Sequence, residues 1–239
     1  MEVKLRTLPN QVAGVLARRI ASRELPEGLV PSEQEISTEF GVSRAVAREA
    51  LKILAALDMV DIAQGRRVAL RPEAEWDFLS PLLIEWLPTS IVRHLLHEQH
   101  DARLVFEPAI AGQAASNLTN EDLVRLASLL EDMAGHEDDP ERYLEIDLEF
   151  HMEICRATRN RILDRFMYSL RWWQTASRRL SNRAPHALPA ATHQHRLIYE
   201  ALAARDPKAA EAAMRSHLLA NKTILTVDRD DAEGAPEAG

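Results

Sequence analysis

At 239 residues, 46% apolar and 28% charged, the chain can bury one large core or two modest ones. Its formal charge of −8 is uneven: 11 Lys+Arg face 9 Asp+Glu through Pro72, against 18 and 28 beyond it, so a phosphate-approaching head is expected before an acidic body. A lone cysteine, Cys155, excludes an intrachain disulfide framework, no apolar run reaches membrane-spanning length and the N-terminus lacks a signal-peptide core, so a soluble cytoplasmic protein is expected.

The first element in chain order is an amphipathic helix from about Pro9 to Ser22, with Val12, Val15, Leu16 and Ile20 as its apolar stripe, closed by the turn Glu24-Leu25-Pro26-Glu27-Gly28. Ser32 then N-caps a second helix, with Glu35 three residues on completing a capping box. Phe40-Gly41 ends it, since Gly tolerates the left-handed conformation of a tight turn. Ser43 opens a third helix whose Val46, Ala50, Ile53 and Leu54 recur at helical spacing, while Arg44 and Arg48 share one face near its start. Met59–Ile62 and Arg67–Leu70 read as two strands of a wing with Gln64-Gly65 at its tip. Two arginines on a helix are ordinarily a solvated face; with the capping box, the Gly turn and the wing Gly65-Arg66-Arg67 they read as a DNA-binding winged helix-turn-helix.

PSEQEISTEFGVSRAVAREALKIL followed by AQGRRVAL resembles the DNA-binding domain of the GntR family of bacterial transcriptional regulators. Gln34 departs from the pattern, standing where the family usually carries a basic DNA-contacting residue; Gln can itself read adenine. The expected DNA contacts are Gln34, Ser43, Arg44, Arg48, Gly65 and Arg66.

From Arg71 to Pro81 the chain reads as the start of a linker, and from there apolar stripes continue almost to the end: Ile91–Glu98, Ala102–Asn117, Asn120–Ala134, Glu141–Thr158, Ile162–Ser177, Pro189–Ala204 and Pro207–Leu225. The prolines at 88, 108, 140, 185, 189 and 207 mostly fall at helix starts or between helices. The fold class is therefore mainly α, an N-terminal winged helix-turn-helix plus a C-terminal all-α helical bundle. We divide it into a DNA-binding domain over 1–72, a linker segment over 73–88, an all-α effector- and metal-binding domain over 89–227 and a disordered tail over 228–239.

Asp147 and His151, four apart in DLEFH, share a helix face, and His195 and His217 lie on two later helices near core-facing aliphatics. Three imidazoles and a carboxylate pointing into a bundle suit a divalent cation such as Zn, Ni or Mn, although a single histidine on an apolar face is more often a satisfied core residue. DLEFHMEICRATRN and QHRLIYEALAARDPKAAEAAMRSHL resemble the FCD ligand-binding domain of the FadR-type branch of the same family; the resemblance implies a metal at these four positions. His193 competes with His195 but faces elsewhere, His94, His97 and His100 read as a solvated helix edge, and Cys155 reads as core packing.

An incompletely ligated cation would leave room for a small carboxylate effector. The resemblance implies that Arg103 helps hold it, against the plainer reading of an Arg103–Glu107 helix pair. Arg171 and Gln174 are the further expected effector contacts, and at most one of the adjacent Trp172 and Trp173 lines a cavity. The segment Glu75–Leu87, EWDFLSPLLIEWL, resembles the linker of sugar-acid regulators in this branch and reads equally as an amphipathic helix. The expected function is a DNA-binding transcriptional regulator, a repressor acting as a homodimer on a palindromic double-stranded operator and released by a small carboxylate effector such as a sugar acid. The alternatives are a metal-dependent enzyme with a DNA-binding appendage, for which only Glu149 and Glu153 on other helix faces offer a base, and a metal sensor.

Overall fold

A computed structural model describes residues 7–25, 29–63, 65–181 and 187–233, with backbone alone at 178–181, 187 and 221–233. The described residues form eleven α-helices, a two-stranded sheet and a short 3-10 turn, and divide into two compact units, Met1–Arg93 and His94–Gly239.

In the first unit α1 (Leu8–Ala21) buries Val12, Leu16 and Ile20, and α2 (Glu33–Phe40) buries Ile36. The capping box is present: Ser32 N–H donates to Glu35 Oε2 at 2.7 Å, and Glu35 N–H donates to the Ser32 hydroxyl at 3.3 Å. Gly41 stops α2 at φ 62, where a side chain would be strained. Ser43 Oγ then accepts from Val46 N–H at 3.3 Å and starts α3 (Arg44–Ala56). The wing is shorter than its sequence pattern: β1 (Val60–Asp61) pairs antiparallel with β2 (Ala69–Leu70), Val60 opposite Leu70. Val60 is the buried residue of this sheet, so little packing extends the ladder further. Gln64, read as part of the wing tip, lies outside the described residues, while Gly65 turns the wing at φ 74.

A 3-10 turn at Glu73–Glu75 and α4 (Pro81–Trp86) close the first unit, so the segment read as one amphipathic helix is helical only in its second half. The Trp86 indole lies so close to α1 that a Cβ on Gly14 would meet its Nε1 at 2.9 Å.

Helix α5 (Thr89–Asn117), which belongs to the second unit from His94 onward, is one continuous helix where the sequence reads two stripes. Pro108 lies inside it, within the stripe Ala102–Asn117 and apart from the prolines that mark helix starts. A proline there frees the carbonyl four residues back. That carbonyl, of Leu104, accepts from Arg215 Nη1 at 3.2 Å, which offsets the loss and lets the helix continue. The Thr119–Asp122 capping box opens α6 (Asn120–Ala134), and Asp139 caps α7 (Pro140–Ala157). The stripe read as one helix over Ile162–Ser177 is two, α8 (Arg161–Ser169) and α9 (Arg171–Ser181). No Gly or Pro marks the break; Leu170 between the two helices is buried, and its N–H closes α8 on the Phe166 and Met167 carbonyls. The last helices are α10 (Ala187–Ala203) and α11 (Pro207–Glu233), the latter running past Asp228, where the sequence reading begins a tail; residues 234–239 lie outside the described residues.

Helix α7 positions the candidate site. From Tyr143 to Ala157 it buries every residue but Glu145, Glu149 and Arg156, so it is the central helix, enclosed on nearly all sides. Its Phe150 and Ile154 join Ile110 and Ala114 of α5, Ile198 of α10 and Met214 of α11 in one core.

Candidate functional site

In the first unit, the start of α2, the exposed face of α3 and the wing enclose a groove of about 520 Å³. Arg44, Arg48, Lys52, Arg66 and Arg67 line it, with Gln34 and Gly65. Five of the six residues read from sequence as DNA contacts are thus brought together. The sixth, Ser43, is exposed beside the groove and spends its hydroxyl on the α3 cap. Gln34 donates from Nε2 to Thr38 Oγ1 at 3.2 Å. Lys52 and Glu33 were not singled out by sequence; Glu33 accepts from Arg48 Nε and Nη2 at 2.9 and 3.0 Å.

The second constellation lies in the core of the other unit. Asp147 and His151 come from α7, His195 from α10 and His217 from α11, all buried. His195 Nε2 lies 3.3 Å from His151 Nε2 and 2.8 Å from Asp147 Oδ1, with His151 Nε2 3.8 Å from the same oxygen. The His217 ring centroid is 4.4 Å from that of His195 and 5.3 Å from that of His151. One ligand atom from each of the four residues falls within 4.8 Å of the others.

These residues fit a divalent cation. Two nitrogens at about 2.1 Å from one ion lie about 3.0 Å apart at a right angle and about 3.4 Å apart at the tetrahedral angle. The observed 3.3 Å falls between them. A core histidine satisfied by its neighbours would turn a nitrogen toward a backbone or hydroxyl partner; here two Nε2 atoms converge on each other and on a carboxylate. The cluster could hold a metal.

Behind it stands a residue whose role sequence reasoning missed. Glu107 on α5 lies 2.8 Å from His151 Nδ1 through Oε2 and accepts from Arg103 Nε at 2.5 Å through Oε1. Burial alone would push its carboxyl up, but the charges and hydrogen bonds of Arg103 and His151 outweigh that and hold it well below the usual carboxylate range. Arg103 and Glu107 are each 2% exposed, so this pair is both the helix pair and a part of the cluster's support. A charged residue in the apolar run LVFEPAIAG was the available signal.

On α9 the expected pocket wall divides. Gln174 and Trp173 are buried, Trp172 is half-buried and Arg171 is exposed, so Arg171 does not join the buried group. The Gln174 amide nitrogen meets Met167 Sδ at 4.0 Å, and its oxygen has no hydrogen-bond partner among the described residues. Gln99, one turn before Arg103 on α5, is 8% exposed with neither amide atom bonded among those residues. The His94–His97–His100 group is not a uniform solvated edge: His94 is exposed, but His100 is fully buried. Cys155 is buried as expected, and burial pushes its thiol up to about 12, which removes it as a nucleophile.

Residues 8–70 match the bacterial regulatory proteins of the gntR family, and residues 98–220 match the FCD domain. The repressor NanR of Salmonella newport is 31% identical over 88% of this chain and 82% of its own. The chain belongs to the GntR family.

Two further likenesses agree with this. The galactonate operon transcriptional repressor of Escherichia coli K12 is 26% identical, covering 81% of this chain and 86% of its own. The Listeria monocytogenes protein Lar, 20% identical with a TM-score of 0.60 over 94% of this chain and 99% of its own, shows the same fold. As a GntR protein the chain is a DNA-binding transcriptional regulator rather than an enzyme, which removes the catalytic reading of the histidine cluster. The basic groove belongs to the GntR DNA-binding domain, the histidine cluster to the FCD domain, and no described helix is long and apolar enough to cross a membrane.

Proposed function

We propose that this GntR regulator is a cytoplasmic homodimeric repressor, released from a palindromic operator by a small carboxylate bound at a divalent cation. Asp147, His151, His195 and His217 hold the ion, and the convergence of two imidazole Nε2 atoms at 3.3 Å carries this reading. The bound ion supplies a Lewis-acid anchor for a carboxylate oxygen. Arg103 gives Nε and Nη2 to Glu107, which leaves its Nη1 side for the same carboxylate. Gln99 and Gln174 are buried amides of the kind that receive hydroxyl groups, since buried polar atoms are ordinarily paired. The effector class they fit is a hydroxylated acid, in keeping with a relative named as a repressor of the galactonate operon. Dimerisation follows from one head covering about half a site.

The test is operator binding by metal-loaded and chelator-stripped protein against a panel of sugar acids and dicarboxylates. Release by a hydroxylated acid only when metal is loaded supports the proposal. Release by metal alone makes the protein a metal sensor, and release by an acid in metal-free protein overturns the role given to the cation.

A further inference from the structure

Glu33 is the lone carboxylate among the described residues lining the DNA-facing groove, set among Arg44, Arg48, Lys52, Arg66 and Arg67. A negative charge there is unfavourable for DNA binding, because phosphates approach within a Debye length and repel it. Something specific must offset that. Both oxygens of Glu33 grip one edge of the Arg48 guanidinium, at 2.9 Å from Nε and 3.0 Å from Nη2. Two parallel bonds fix the guanidinium plane as well as its position. They use the side edge of the fork and leave the Nη1–Nη2 end, the edge that fits guanine O6 and N7. Arg44, one turn earlier on α3, has no ion pair among the described residues. The Arg48 hydrogen bond also holds the Glu33 carboxyl below its ordinary value.

We propose that Glu33 is a specificity-determining residue that presents the end edge of Arg48 to one base pair of the operator while weakening non-specific attraction to the backbone. Arg48 then reads a base, and Arg44 serves as a mobile phosphate contact. A merely surface ion pair would do neither.

The experiment uses the full-length protein and an operator selected by it from random duplexes. Affinities of wild type, Glu33→Gln, Glu33→Asp, Arg48→Ala and the Glu33→Gln/Arg48→Ala double variant are measured for operator, for every single-base-pair change in it and for unrelated DNA, across a salt series. Glu33→Gln should bind unrelated DNA more tightly, with a steeper slope against log salt because one repelling charge is gone. Its operator preference should fall about tenfold or more, with discrimination lost at the same base pair that Arg48→Ala relaxes. The double variant should be no less selective than Arg48→Ala. Glu33→Asp should restore the wild-type salt slope without restoring discrimination. Unchanged selectivity in Glu33→Gln overturns the proposal. So does lost discrimination at a base pair that Arg48→Ala leaves intact, since Glu33 would then be reading a base itself. Thermal melts of each variant check that the exposed pair is not a folding determinant; a Glu33→Gln melt well below wild type would assign the pair to stability and also overturn it.

Discussion

His151 Nδ1 lies 2.8 Å from the Glu107 carboxylate, with both side chains sealed from solvent. A neutral imidazole has one N–H and one lone pair, so a proton held at Nδ1 puts the lone pair on Nε2, the atom facing His195 and Asp147. Arg103 in turn neutralises Glu107. The order Arg103, Glu107, His151 therefore favours the tautomer that a cation would require, from a helix that gives the ion no ligand itself.

Glu107→Gln should accordingly weaken metal binding by about 10- to 100-fold while leaving all four ligands in place. It should also destabilise the protein, because Arg103 would keep its buried charge without a carboxylate, a loss on the order of 3–5 kcal/mol. Competition against a chromogenic chelator reads the first effect and denaturant unfolding of the metal-free protein the second. Equal metal affinity in variant and wild type would remove Glu107 from the site.

Much of this was legible in the sequence because its signals are local. Ser32 and Glu35, Gly41 and Ser43 act over three or four residues, and each cap appears where its spacing places it. The four metal-type ligands were legible because DLEFH sets two on one face and the family resemblance supplied the other two. Gln99 carries no local signal and Glu107 only that of a charge in an apolar run, since the role of Glu107 comes from burial beside Arg103 and His151. How Pro108 is tolerated inside its helix was illegible for the same reason: the donor that compensates it, Arg215, arrives from another helix.

That compensation is testable by a double-mutant cycle. Arg215→Ala leaves the Leu104 carbonyl without its partner and should cost up to about 1 kcal/mol. Pro108→Ala restores an N–H to the helix, and in that background Arg215→Ala should be close to neutral. Equal costs in both backgrounds, measured by urea unfolding, would show that Arg215 does not act through the freed carbonyl.

Gly14→Ala should destabilise the first unit, because its Cβ would press on the Trp86 indole at 2.9 Å and the ring is 1% exposed with little room to shift. Overpacking of this kind costs about 1–3 kcal/mol. Trp86→Leu should cost stability alone yet make Gly14→Ala much less damaging. If Gly14→Ala is equally harmful beside Leu at 86, the strain lies in the backbone of α1 and not in the indole contact.

Asp122 gives a pH dependence whose sign is fixed by its surroundings. Its carboxylate is fully buried from solvent at the start of α6, accepts from Thr119 N–H at 2.7 Å and from Arg159 Nη2 at 2.5 Å, and is also bonded by Arg125. Burial raises its affinity for a proton, but the Thr119 and Arg159 bonds outweigh this and hold the carboxyl below its ordinary value. The native state therefore binds fewer protons than the unfolded chain. The resulting stability is fully present above the unfolded value of about 3.9 and is lost as pH falls through the lower native one. Asp122→Asn keeps the shape but removes the charge, and should cost about 1–3 kcal/mol at pH 7. The gap between wild type and variant should narrow steadily below about pH 4 as the wild-type carboxyl is protonated in the unfolded chain and then in the folded one. Urea midpoints from pH 7 to pH 3 measure it. A gap that stays constant over that range would mean that the ionised carboxylate contributes nothing to α6 beyond its shape.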